Sequence, residues 1–160
     1  MDVEVVRSRK RRKTVHASIV DGRIRILMPA HLTQAQEREY VEDLSRKLER
    51  SVVAAQIDLT DRAATLAQRY DLPVPITIRW VDNQQRLWGS CTPTDGAIRI
   101  SSRIARFPPW VVDAVIVHEL AHLAVPDHSP AFKALLARYP KMERATGFLL
   151  AKGLGDPDIE

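Results

Sequence analysis

The chain has 160 residues, 45% hydrophobic and 28% charged, with one cysteine and 24 Lys+Arg against 20 Asp+Glu, a formal net charge of +4. A chain of about 150 residues buries about 68–70% of its unfolded surface, enough for a core without disulfides or a structural metal, so any metal it binds is expected to serve chemistry. The lone Cys91 excludes an internal disulfide, Met1-Asp2-Val3-Glu4-Val5-Val6 has acids where a signal peptide is basic, and the longest apolar run, Trp110 to Val117, is broken by Asp113 well short of the roughly 18 residues of a membrane span.

These features read as one soluble, cytoplasmic domain over 1–160 with no membrane segment; the oligomeric state is not legible. Its charge is local. Arg7, Arg9, Lys10, Arg11, Arg12 and Lys13 place six cations in seven residues, leaving 18 basic against 20 acidic groups elsewhere.

Residues 1–32 read as this basic segment followed by a β-hairpin. Val15, Ala17 and Ile19 alternate with polar neighbours, Asp21-Gly22 follows, and Ile24, Ile26 and Met28 resume the alternation, a strong short-range hairpin signal. Residues 33–70 read as helical cover for that hairpin. Thr33-Gln34-Ala35-Gln36 opens the first helix as a capping box, with an apolar stripe of Tyr40, Leu44, Leu48 and Val52, and a second helix runs from about Thr60 to Tyr70. A β block spans 74–101: a strand from Val74 to Trp80, then Leu87 to Thr92 and Ala97 to Ser101 around the turn-forming Pro93-Thr94-Asp95-Gly96.

Residues 109–152 read as three helices. The first starts at Pro108-Pro109, is apolar nearly all round, and should stop at Val125-Pro126, because Pro126 cannot donate and pushes the preceding residue out of the α region. Ser129-Pro130 opens the next, which carries Phe132, Leu135, Leu136 and Tyr139, and the last spans Met142 to Lys152. Residues 153–160 read as a frayed tail.

The chemistry concentrates in His118-Glu119-Leu120-Ala121-His122 and His128. On a helix, residues i and i+4 lie about 40° apart around the axis and about 6 Å along it, so His118 and His122 project side by side and can close on one ion. Glu119 sits about 100° from His118, where a carboxylate can reach a metal-activated water without binding the metal, the position of a general acid/base. A catalytic zinc ion typically takes three protein ligands. A chain turning back at Pro126 can present His128 as the third, the spacing of the extended motif in which the loop after the helix completes the set. The glycine that usually makes this turn is replaced by Val125. The alternative is a buried helix whose histidines are satisfied by core hydrogen bonds, or a structural metal. Two histidines and a glutamate within five positions of an apolar helix each cost desolvation unless paired or ligated, which favours a catalytic ion.

Together these segments resemble the YgjP-like metal-dependent hydrolases, relatives of the SprT-like and WLM proteases in the zincin class. The resemblance is carried by Arg7-Ser8-Arg9-Lys10-Arg11-Arg12-Lys13-Thr14, Asp21-Gly22-Arg23, Trp88-Gly89-Ser90-Cys91, Val117-His118-Glu119-Leu120-Ala121-His122-Leu123 and His128-Ser129-Pro130-Ala131-Phe132. Two positions depart from the pattern: Leu87 separates Arg86 from Trp88, and Lys133 follows Phe132 where an aromatic is common. The resemblance implies an α+β fold, a minimal zincin-like domain with a small, mostly antiparallel sheet and an active-site helix. It also implies one Zn2+ per chain on His118, His122 and His128, with Glu119 as acid/base in the cleavage of a peptide or protein substrate.

The segment from Trp88 to Cys91 reads as core side chains on a strand that could form the cleft wall and pair with an extended peptide. A group orienting the histidines is expected, with Asp113 and Asp127 the nearest in sequence. Tyr139 is read as core, and His16 and His31 as surface residues. A second functional reading makes Arg7, Arg9, Lys10, Arg11, Arg12 and Lys13 a docking surface in weak association with nucleic acid, with the metal secondary or structural. Six cations suit salt-dependent phosphate binding, although no aromatic residue is interleaved and edge-guarding cations look the same.

Overall fold

A computed structural model describes residues 1–153. The chain packs as two compact units, Met1–Val53 and Ala54–Glu160. The expected tail from 154 onward lies outside the described residues.

The first unit is a three-stranded mixed sheet covered by one helix. β2 (His16–Val20) and β3 (Arg23–Pro29) form the hairpin, with Asp21 and Gly22 both at positive φ (50° and 74°), the two-residue turn whose twist matches the flanking strands. β1 (Val3–Ser8), which periodicity did not reveal, pairs in parallel with the other edge of β3, giving the order β1-β3-β2. Ile24, Ile26 and Met28 of the central strand are fully buried and pack against Val41, Leu44 and Leu48 of α1 (Gln34–Ala55). The capping box is formed, with Thr33 N donating to Gln36 Oε1 at 3.0 Å and Gln36 N to Thr33 Oγ1 at 3.2 Å. Leu44 and Leu48 of the expected stripe face the sheet, and Val41, three residues before Leu44, completes the contact in place of Tyr40, which is exposed.

In the second unit α2 (Leu59–Tyr70) is capped by Asp58, whose side chain accepts from Asp61 N. It packs on α3 and β4 in this unit, which corrects the expectation that both early helices cover the hairpin. Leu59, Ala63, Leu66 and Ala67 give it an apolar face suited to a different partner. β4 (Thr77–Val81), β6 (Ala97–Ser101) and β5 (Gly89–Thr92) form a second mixed sheet in the order β4-β6-β5, with β4–β6 parallel and β6–β5 antiparallel. One face, through Ile98 and Ile100, buries against α3 (Pro109–Ala124), which is followed by α4 (Pro130–Leu136) and α5 (Met142–Ala151). The α+β class expected from the sequence holds, with the strands divided between two small mixed sheets.

Candidate metal centre

α3 sits in the core of the second unit, with ten of its residues buried, His118 and Glu119 among them. Burying two polar side chains on such a helix is costly unless each finds a partner. Pro109 opens the helix at a position where no intrahelical donor is needed. The helix ends at Ala124, and Val125 takes φ −131°, ψ 100°, an extended conformation that a β-branched residue adopts without strain. No glycine is needed at this turn.

The extended Val125 has a second consequence. Its carbonyl oxygen lies 3.2 Å from His122 Nδ1. A carbonyl only accepts, so Nδ1 carries a proton, and in the neutral imidazole Nε2 then keeps the lone pair for a metal. His122 Nε2 lies 3.2 Å from His118 Nε2. The chain then turns through Pro126 and Asp127, whose Oδ1 accepts from Ser129 N at 3.1 Å, and brings in His128. One nitrogen from each of His118, His122 and His128 falls within 4.8 Å of the others. Burial, then the neighbouring imidazoles His122 and His128, push His118 down from 6.5 to about 3, leaving it neutral with its lone pair available at pH 7.

Phe132 of α4 is the base on which the three rings rest. Its ring stacks on His122 with centroids 4.3 Å apart and planes at 22°, and meets His118 and His128 edge-on at 5.1 and 5.0 Å. At 1% exposure it is core by burial, as its apolar pattern indicates, but its neighbours are the histidines. The proximity in sequence of Phe132 to His128, on the first turn of the next helix, is the signal that could have marked it.

Across from α3, β5 supplies the other wall of a cavity of about 260 Å³, with Leu87, Gly89 and Cys91 facing the three histidines and Glu119. At Gly89 the strand lies directly against Glu119 of the helix. A Cβ there would stand 2.6 Å from Glu119 Oε1 and 2.9 Å from its Cγ. The Cys91 thiol is pushed up to about 11, by burial first and then by the nearby Glu119 carboxylate, so it stays protonated at neutral pH and is no nucleophile. Trp88 is buried, edge-on to Phe107 at 5.7 Å and beneath the Arg103 guanidinium at 4.5 Å, which anchors the start of β5.

Other singled-out residues lie elsewhere. Asp113 pairs with Arg62 of α2 at 2.5 Å, and Asp127 bonds Ser129, so neither is seen to orient a histidine; the Val125 carbonyl does so for His122. Tyr139 donates its hydroxyl to Trp110 O at 2.9 Å. His16 and His31 are exposed. The basic segment lies in the first unit: Arg7 pairs with Glu37, Arg11 bonds Thr14 Oγ1 at 3.2 Å, and Arg9, Lys10, Arg12 and Lys13 are exposed in the loop between β1 and β2.

A sequence profile described as YgjP-like, metallopeptidase domain, matches residues 6–149. Among solved structures the chain is similar to the metallopeptidase zymogen of Pyrococcus abyssi abylysin, at 15% identity over 57% of this chain and 91% of that one, with a TM-score of 0.52. It is also similar to the metallopeptidase zymogen of Methanocaldococcus jannaschii jannalysin, at 17% identity over 60% of this chain and 97% of that one, with a TM-score of 0.51. At these identities the likeness is one of fold. No curated protein matches the chain.

Proposed function

This chain belongs to the YgjP-like metallopeptidase family, and from that premise we propose that it is a zinc-dependent peptidase in which His118, His122 and His128 hold one ion and Glu119 carries the proton. The observation that supports this best is the convergence of the three imidazole nitrogens beside a buried glutamate. The donor set fits the ion. Nitrogens bound to one tetrahedral zinc at about 2.0–2.1 Å sit roughly 3.3 Å apart, and the His118 and His122 Nε2 atoms are already at 3.2 Å. Three imidazoles also match a catalytic rather than a closed structural site, since they leave a coordination position open.

When bound, zinc acidifies a water and polarises the scissile carbonyl. Glu119 takes the proton of the attacking water and delivers it to the leaving amine. The neutral His118 presents its lone pair without first losing a proton, and the Val125 carbonyl favours the His122 tautomer that leaves Nε2 for the ion. The free edge of β5 offers backbone groups to an extended peptide, holding the scissile bond in the cavity. Elemental analysis of the purified protein, combined with an unbiased peptide-library digest, tests the reading. Stoichiometric zinc and peptide cleavage that is lost in Glu119→Gln are expected. A protein without stoichiometric metal, or a fully active Glu119→Gln variant, rules the reading out.

A second activity is favoured by the exposed Arg9, Lys10, Arg12 and Lys13, none of which makes an ion pair among the described residues: weak binding of nucleic acid phosphates. Binding that weakens steeply with salt and is abolished by neutralising residues 7–13 supports it; binding indifferent to those changes removes it.

A further inference from the structure

The face of the second sheet turned away from α3 carries charge that the proposed reaction does not use. The three strands of this sheet contain no acidic residue. Arg99 of β6 stands in register with Ser90 on one side and with Arg79 on the other, so the two arginines share this face. Arg79 is exposed, whereas Arg99 is half-buried and reaches across to β5, its Nε donating to Ser90 Oγ and its Nη2 to Thr92 Oγ1, both at 3.1 Å. Ser90 also accepts from Gln84 Nε2 at 2.5 Å. Among the described residues Arg99 has only hydroxyl partners, so a partly desolvated guanidinium is held rigid with its charge uncompensated. Such a group is prepared for an anion.

Its position gives the anion's source. β5 is an edge strand that also lines the cavity, and a peptide paired along its free edge would lie about 4.8 Å from it. Alternate peptide side chains would then project on the Gly89 and Cys91 side, toward the histidines, and on the Ser90 and Thr92 side, where the guanidinium lies. A short carboxylate side chain on the latter side comes within reach of Arg99, with Arg79 adding attraction one strand further away.

We propose that this face selects peptide substrates bearing aspartate or glutamate, and that Arg99 is the residue that reads the acid. The proposal rests on the reading of the centre as a peptidase and deepens it by naming a substrate class. It is tested on the full-length, zinc-loaded protein with peptides that differ only by Glu or Gln at each position in turn. Binding of the same peptides to the Glu119→Gln variant is followed in parallel by fluorescence anisotropy.

At one position, or at positions two apart, the acidic peptide is expected to show kcat/KM roughly two- to fivefold above its amide counterpart, the yield of one solvent-screened charge pair. The ratio should fall to about one in Arg99→Gln, persist in part in Arg99→Lys, and drop below one, in favour of the Gln peptide, in Arg99→Glu. The anisotropy ratios should follow the same order and shrink with added salt. Equal handling of Glu and Gln peptides at every position, or a ratio that survives Arg99→Gln, overturns the proposal. Discrimination in binding without cleavage would retain the acidic surface and sink the peptidase reading, and neither binding nor cleavage of any peptide would sink both.

Discussion

Replacing Gly89 by alanine is the sharpest test of how Glu119 is held. The added Cβ would stand 2.6 Å from Oε1, 2.9 Å from Cγ and 3.0 Å from Cδ of Glu119, where carbon atoms in favourable contact are about 3.5–4.0 Å apart. Rotating the carboxylate alone does not relieve the contact, because Cγ, next to the helix backbone, is also too close. The glutamate stem must therefore retreat by about 0.5–1 Å, at a site where it is 4% exposed and has little room. Overpacking of this kind costs about 1–3 kcal/mol of stability, and a misplacement of about 1 Å of a reacting group can cost on the order of 10²-fold in rate. Gly89→Ala is thus expected to lose about two decades in kcat on a cleaved peptide, with KM little changed and zinc content retained, because no histidine is touched. Thermal melts of the metal-free protein close the cycle: the alanine should destabilise the wild-type background and be nearly neutral beside Glu119→Ala, where the obstructing atoms are gone. A Gly89→Ala enzyme with unchanged kcat, or an equal melting shift in both backgrounds, refutes the steric argument.

Further expectations concern the neighbours of the centre. His122→Ala should lose stoichiometric zinc, whereas Glu119→Gln should retain it while losing turnover, both read by elemental analysis alongside peptide cleavage. Phe132→Leu removes the surface on which three imidazoles rest; we expect zinc affinity to fall roughly 10- to 100-fold in a chelator competition, with about 1–2 kcal/mol lost in a denaturant melt. Tyr139, whose phenol burial and the Asp113 charge push up to about 12 from 10, stays neutral in the fold at pH values where the unfolded chain ionises. Because its folded value is the higher one, stability is unaffected below pH 10 and declines as pH rises from 10 toward 12. Tyr139→Phe should abolish that decline and, by losing the bond to Trp110 O, cost about 1 kcal/mol at neutral pH in the same melts.

The parts of this molecule legible in the sequence are those fixed by local geometry. The hairpin followed from Asp21-Gly22, the start of α1 from Thr33 and Gln36, and the juxtaposition of His118 with His122 from the helical repeat. The features that escaped depend on partners distant in sequence. β1 is a strand because the free edge of β3, about twenty residues on, accepts it in parallel, and its short mixed pattern carries no signal of that pairing. α2 has a well-formed apolar face, but nothing in its periodicity says whether the first sheet or α3 will cover it. Tyr40 and Val41 flank the stripe of Leu44 and Leu48 at i−4 and i−3, and both spacings suit one helix face, so periodicity alone does not say that Val41 packs while Tyr40 is exposed. Gly89 is the extreme case, since its meaning lies in the atoms of Glu119, thirty residues away, that occupy the space a side chain would need.

Val125 shows why a departure from an expected motif need not weaken the site it belongs to. A glycine at this turn would allow positive φ, yet the observed backbone is extended and open to any residue. Pro126 enforces that conformation from the following position, because its ring disfavours the α region for the residue before it. Once Val125 leaves the helix, its carbonyl no longer points along the axis toward a missing donor and can instead accept from His122, three residues earlier. The same step that ends α3 and carries the chain round to His128 therefore also fixes the tautomer of His122. A turn that relied on glycine's freedom would spend conformational entropy to reach the same place, whereas the valine and proline pair restricts the unfolded chain as well. Orientation of one imidazole and delivery of another are in this way consequences of a single backbone choice, made by two residues that offer no ligand atom to the centre themselves.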